Sequence, residues 1–327
     1  MNLLASLLAR YAHTNARVIV GAEVGEDAAA IDMGDRYLVV KTDPITFVTD
    51  QIGWYVVNVN ANDIATRGAT PRWFLCTLLL PEGETRTEMV EEIFRQISEA
   101  CESLDIALCG GHTEITYGLN RPVAVGVMLG EVEKGNLVST RDIRPGDSII
   151  LTKGIAVEGT AILAREKASE LLVHFDEPFL ERCRSFLRHP GISVLKDAQV
   201  ATATARVHAM HDPTEGGLAA ALWELAAAGK VGLRIQRRAI EILPETQALC
   251  ARLGLNPLGL IASGALLIAV APADGHRVLD ALAAAGIQAS MIGTATGNPK
   301  ELILIGPDGE EESLPEFPRD ELARLFD

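Results

Sequence analysis

Residues 57–71 read V-N-V-N-A-N-D-I-A-T-R-G-A-T-P, a helical stretch that carries Asn58, Asn62 and Asp63, stops at Gly68 and is closed by Pro71. Asn58 and Asn62 lie one turn apart on one face, with Ala65 and Thr66 beside them. Asn is a poor helix former, so three of them in one short helix demand a reason. A solvated polar face, with Asp63 paired to Arg67 at i,i+4, is one reason. A ligand site is the other, and the flanking segments favour it.

Upstream, Leu3, Leu4, Leu7 and Leu8 give the first helix an amphipathic face, and residues 17–20 read as a strand. Residues 36–42 form a second strand, ended by Asp43-Pro44 because proline cannot donate within a sheet interior. Downstream, residues 72–80 are a continuous apolar run between prolines, hence a buried strand, and 85–104 show helical spacing. A short strand over 106–109 runs into Gly110-Gly111-His112-Thr113-Glu114, and 122–132 is another strand. A turn at Arg144-Pro145-Gly146-Asp147 places a domain boundary near 145, giving domains 1–145 and 146–327. The second half alternates strands and helices, with His211-Asp212-Pro213-Thr214-Glu215-Gly216-Gly217 opening the helix 218–228. Two α/β domains with mixed sheets fit this order.

At 327 residues, 48% hydrophobic and 22% charged, the chain has ample cores and is not disordered. A net charge of −15 argues against nucleic acid or an anionic membrane as partner, while leaving a nucleotide with Mg²⁺ compatible. The five cysteines form no C-x-x-C pair and suit buried thiols in a reducing cytosol. The apolar N-terminus is too short to span a bilayer, so a soluble, cytoplasmic protein is expected.

Acidic residues recur at strand ends beside small residues: Asp27 within Gly25–Ala29, Asp43 after Lys41-Thr42, Asp63 after Asn62, and Asp212 with Glu215. Hard oxygen donors of this kind suit Mg²⁺ with substrate phosphates. Gly110-Gly111 and Gly216-Gly217 can offer backbone N–H groups to anions. Each feature also has a plain structural reading: Asp27 as a turn cap, Asp43 as a strand end, Asp212 as a helix N-cap with Pro213 at N1. No G-x-x-x-x-G-K-[ST], G-x-G-x-x-G after the first strand, or G-x-S-x-G is present.

In order, Gly25–Ile31, Lys41-Thr42-Asp43, Val59–Pro71 (especially N-D-I-A-x-x-G-A-x-P), Gly110–Glu114, His211–Leu218 and Ser263–Leu267 resemble the AIR synthase (PurM-like) superfamily. Within it, the N-D-I-A-T-R-G-A-T-P and S-G-A-L-L segments look nearest to the hydrogenase-maturation HypE proteins. The resemblance implies a two-domain PurM-like α/β (α+β) fold. Its N-terminal domain would pair with a second copy as a barrel-cored homodimer, next to a C-terminal α/β domain. It implies ATP and Mg²⁺ as cofactors and transfer of the γ-phosphate to an oxygen of an amide- or carbamoyl-type group. Asp27, Asp43, Asp63 and Asp212 would hold metal. Lys41, Thr42, Asn62, Gly110 and Gly111 would join Asp27, Asp43 and Asp63 around the nucleotide. Catalytic roles would fall to Asp43, Asp212 and Glu114. A partner protein carrying the modified group is a further implication. HypE proteins act on a C-terminal cysteine, whereas the last cysteine here is Cys250, and His112 stands where relatives often place an acid, with Glu114 as a substitute. Two alternatives follow: phosphotransfer like that of thiamine-monophosphate kinase or purine synthesis, or a non-catalytic nucleotide-binding scaffold.

Overall fold

The computed structural model describes residues 2–12, 15–21, 28–46 and 48–325. Two compact units divide at Leu137/Val138, so the boundary falls before the expected 145. Residues 138–145 pack with the second unit because Ile143 enters its core and Thr140 donates to the carbonyl of Met210 at 3.4 Å.

The first unit contains α1 (Asn2–Tyr11), β1 (Val18–Val20), β2 (Ala29–Asp32), β3 (Arg36–Ile45), α2 (Ile52–Thr66), β4 (Thr70–Pro81), α3 (Thr87–Ser103), β5 (Ala107–Thr116) and β6 (Val123–Glu133). Its sheet runs β1-β2-β3-β6-β4-β5, antiparallel except for the β4–β5 pair. β3 does not stop at Asp43: Asp43, Pro44 and Ile45 pair with Gly126, Val125 and Ala124 of β6. β2 faces only Tyr37–Val40, so beyond that point the flank of β3 away from β6 takes no β2 partner and a missing proline N–H costs no ladder bond. β5 likewise continues through its glycines to Thr116, with a register irregularity opposite Phe74 and Leu75. Gly111 is required there: a Cβ would fall inside the backbone of Cys76, and its φ is +151°.

α2 begins at Ile52, earlier than the Asn-rich run, because Trp54, Tyr55, Val56 and Val57 extend the apolar surface. All but one of its residues are buried, Trp54 being the exception, which overturns the solvated-face reading: Asn58, Asn60, Asn62, Asp63 and Arg67 all lie inside. The helix packs on β3, β6 and α3. Close approach is set by glycines, since a Cβ on Gly126 would strike the Asn60 amide and one on Gly130 the side chain of Ile64. At its start, Gly53 sits against Ile93 and Gln96 of α3 and donates its N–H to Gln96 Oε1 at 3.0 Å.

The second unit contains β7 (Ser148–Thr152), α4 (Val157–Glu166), α5 (Ala168–Leu171), α6 (Glu177–Ser185), α7 (Leu195–Thr204), β8 (Val207–His211), α8 (Gly217–Gly229), β9 (Gly232–Gln236), α9 (Pro244–Leu253), β10 (Leu267–Val270), α10 (Gly275–Ala284), β11 (Ala289–Thr296), β12 (Leu302–Ile305) and β13 (Glu311–Ser313). Their sheet runs β13-β12-β9-β11-β7-β10-β8. β7 and β10 are buried throughout, as continuous apolar strands require. Ile149, Leu151, Leu222, Leu225, Leu233 and Leu267 belong to the core. No described helix is long and apolar enough to cross a membrane.

Candidate functional site

Strand alternation puts Lys41 and Asp43 on the face of β3 that meets α2. There the Lys41 ammonium lies 3.1 Å from Asp63 and 3.6 Å from Asp43, so three of the expected site residues converge where helix and strand touch. Asp63 is nearly enclosed, with its side chain 7% exposed, while that of Asp43 is 35% exposed. One carboxylate is therefore fixed by the core and the other faces an opening. Asn60, which the sequence reading passed over as a site residue, ties the elements together. Its Nδ2 donates to the carbonyl of Asp43 at 3.2 Å and to that of Val56 at 2.8 Å. The signal was available as two glycines four residues apart, Gly126 and Gly130, in a strand otherwise apolar from Val123 to Gly130. Asn62 is buried in the same helix, and Asp27 lies outside the described residues.

The remaining first-unit candidates are elsewhere on the sheet. Thr42 points to the opposite face and its hydroxyl donates to the carbonyl of Gly126 at 2.8 Å. His112 pairs in register with Thr77, and Glu114 with Leu79, so both share that opposite face; they stand 3.7 Å apart and are exposed. β5, with Gly110 and Gly111, is three strands from β3, roughly 14 Å at ordinary strand spacing. Within one copy of the unit, the sheet separates Glu114 and the glycine pair from Lys41, Asp43 and Asp63.

In the second unit Asp212 follows β8 and is buried, directly after His211, whose Nε2 lies 2.8 Å from Glu224 on α8. Glu158, in the first turn of α4, is also buried and accepts from the backbone N–H of Ser263 at 3.2 Å. Burial, with Glu215 and Asp320 nearby, pushes its carboxyl up to about 7 against the pull of the Ser263 hydrogen bonds. Lys153, just after β7, is enclosed. Its ammonium donates to the carbonyl of Ser193 at 2.6 Å and pairs with Asp197 at 3.4 Å. Burial lowers its pKa, partly opposed by Asp197.

Among the described residues no group of three or more His, Cys, Asp or Glu side chains is arranged to hold a metal. Mg²⁺ does not need one, since it commonly takes one or two carboxylates and completes its shell with water and substrate phosphate. The donor set at Lys41 fits that pattern: two carboxylates already gather around one cationic group. Cys109 is exposed, and Cys76, Cys101, Cys183 and Cys250 are buried. Burial raises each of these four thiols to about 12, far from a reactive thiolate.

Sequence models for AIR synthase related proteins match the chain twice, the N-terminal domain over residues 25–132 and the C-terminal domain over 144–305. A putative hydrogenase expression/formation protein of Methanocaldococcus jannaschii is 31% identical over 87% of this chain and 84% of its own. A carbamoyl dehydratase HypE of Rhizobium leguminosarum bv. viciae is 30% identical over 82% of this chain and 76% of its own. Two solved HypE structures share the fold at 20% identity each. One is in complex with HypF, with TM-score 0.79, covering 97% of this chain and all (100%) of that one. The other is in complex with ATP, with TM-score 0.76, covering 98% and 96%. With both halves matched in order and relatives alike across most of their length, the chain belongs to the AIR synthase-related, PurM-like family and is HypE-like within it.

Proposed function

We propose that the protein is an ATP- and Mg²⁺-dependent enzyme that activates a carbamoyl- or amide-type carbonyl by phosphorylating its oxygen, leading to dehydration. The observation that carries this reading is the convergence of Lys41, Asp43 and Asp63 where α2 meets β3. It is supported by relatives named carbamoyl dehydratase and by the ATP complex of a protein with this fold. Asp43 and Asp63 would hold Mg²⁺; Asp27 and, on the second unit, Asp212 are each proposed as metal-binding carboxylates in their own right. The bound metal supplies charge neutralisation and alignment of the phosphates. Lys41 would then exchange a carboxylate partner for phosphate oxygen, and buried Asn62 is a further proposed nucleotide contact. Asp43 and Asp212 are proposed catalytic carboxylates; Glu114, Thr42, Gly110 and Gly111, which lie away from the Lys41 face within one copy, are proposed to act in the assembly of two copies.

The chemistry balances without an enzyme nucleophile: R–C(=O)NH₂ and ATP give R–C≡N, ADP and phosphate, the carbonyl oxygen leaving on phosphorus. Incubation with MgATP and a peptide bearing an S-carbamoyl cysteine is expected to release ADP and phosphate in equal amounts while a nitrile appears in the infrared spectrum. ADP formed with thiamine monophosphate and not with the peptide would reassign the reaction.

Two copies are proposed to assemble through the first unit. The sheet face turned away from α2 carries Val40, Leu75, Leu79, Val125, Val127 and Leu129, all half-buried in the single chain, and β5 is exposed along nearly its whole length. An apolar, twisted face of this kind needs a cover, and a second copy would also bring another Glu114 and glycine pair to the assembly. Sedimentation is expected to give twice the 35.0 kDa chain mass; a single-chain mass at micromolar concentration would refute the assembly.

A further inference from the structure

The segment following β13 crosses the second unit as a tied-down strap. Leu314 is buried in the core, its N–H donating to Leu302, and the Phe317 ring lies against Gly259, where a Cβ would come within 2.5 Å of it. Glu321 donates its N–H to the carbonyl of Gly259 at 3.0 Å and accepts from the N–H of Asn256 at 2.8 Å. Lys167 closes the run by donating to the carbonyl of Leu325 at 2.7 Å.

Between these anchors, Asp320 reaches the loop that carries Asp212. One of its carboxylate oxygens accepts from the N–H of Gly216 at 2.7 Å, and the other accepts from the N–H of Leu322 at 2.7 Å. Gly216 is the N-cap of α8, with φ +76° and no side chain of its own to satisfy the helix start. Asp320 therefore supplies, from over a hundred residues away, the acceptor for the N-cap N–H that a Glu or Gln at N3 provides in a capping box. Burial raises the Asp320 carboxyl, with a smaller push from Glu215, while the backbone N–H groups of Leu322, Gly216 and Ile261 pull the other way.

We propose that Asp320 is a positioning residue: docked on Gly216 by the strap, it fixes the 212–217 turn and so the placement of Asp212. The consequence for turnover rests on the phosphotransfer reading above; the consequence for the turn does not. Nothing in the sequence motif itself announces the contact, because its two halves lie far apart along the chain.

The test uses the full chain with Asp320→Ala and Asp320→Asn. Hydrogen–deuterium exchange in the 212–217 peptide is expected to quicken about tenfold or more in the alanine variant, with β7 and β10 protected as before. Asparagine keeps one acceptor oxygen and is expected to fall between the two. For ADP formation, kcat is expected to drop about tenfold while KM for ATP stays within about twofold, since Asp212 is displaced in its catalytic role and the principal nucleotide groups, Lys41, Asp43 and Asp63, are untouched. Should the unaltered protein form no ADP with any acceptor, the phosphotransfer reading fails and exchange alone decides the strap. Unchanged exchange overturns the proposal. So does faster exchange with turnover unaltered or raised, the latter marking Asp320 as a plug on the helix N-terminus.

Discussion

Asp63→Asn is expected to weaken Mg²⁺-nucleotide binding by at least about thirtyfold, equivalent to about 2 kcal/mol. The carboxylate is nearly enclosed and fixed on a helix that is itself buried on every side, so no neighbouring group can swing in to replace it. Asparagine has almost the same shape but neither the charge nor the affinity for a hard cation. The substitution also removes the nearer and more enclosed of the two carboxylates that flank Lys41. The nucleotide-free protein is therefore expected to lose some stability too, though less than a fully orphaned buried charge would cost. Titration calorimetry with MgATP measures the first effect and urea unfolding the second. Unchanged nucleotide affinity would remove Asp63 from the site.

Gly126→Ala is the second large effect, and it acts through packing. The added methyl would occupy the space of the Asn60 amide, with the Phe74 ring 2.9 Å away on the other side. Overpacking of this kind costs about 2–3 kcal/mol. Asn60 can yield only by releasing the carbonyls of Asp43 and Val56, which loosens α2 from β3 at the point where the charged cluster forms. Stability and nucleotide affinity are thus expected to fall together. Gly135→Ala serves as the control, because a Cβ there meets nothing within 4 Å, and it should leave both unchanged. Parallel urea curves and calorimetry on the two variants give the comparison; a Gly126→Ala protein as stable as the original would contradict the packing account.

Much of this arrangement could be read along the chain. Asn-rich residues inside an apolar run, the stop at Gly68 and Pro71, and the acidic residues at strand ends located α2, β3 and the carboxylates before any coordinates. The misses have physical causes. Pro44 looked like a strand end because its lost N–H counts only if a partner strand stands on that side, and which side is open is a property of the sheet. The glycines of β5 looked like a loop because a bulge and a loop demand the same backbone freedom. The burial of α2 was hidden because a polar residue in a core is indistinguishable by type from one in solvent until its hydrogen-bond partner is known, as with Asn60 and the carbonyl of Asp43. Asp320 was invisible for the same reason at longer range.

The account stands on Asp43 and Asp63 gathering a cation for ATP. A crystal structure with Mg²⁺ and a non-hydrolysable ATP analogue tests this directly. The prediction is a magnesium ion at about 2.1 Å from carboxylate oxygen of Asp43 or Asp63, with Lys41 turned from Asp63 towards phosphate. A nucleotide bound away from α2, with Lys41 still lying between its two carboxylates, would contradict it.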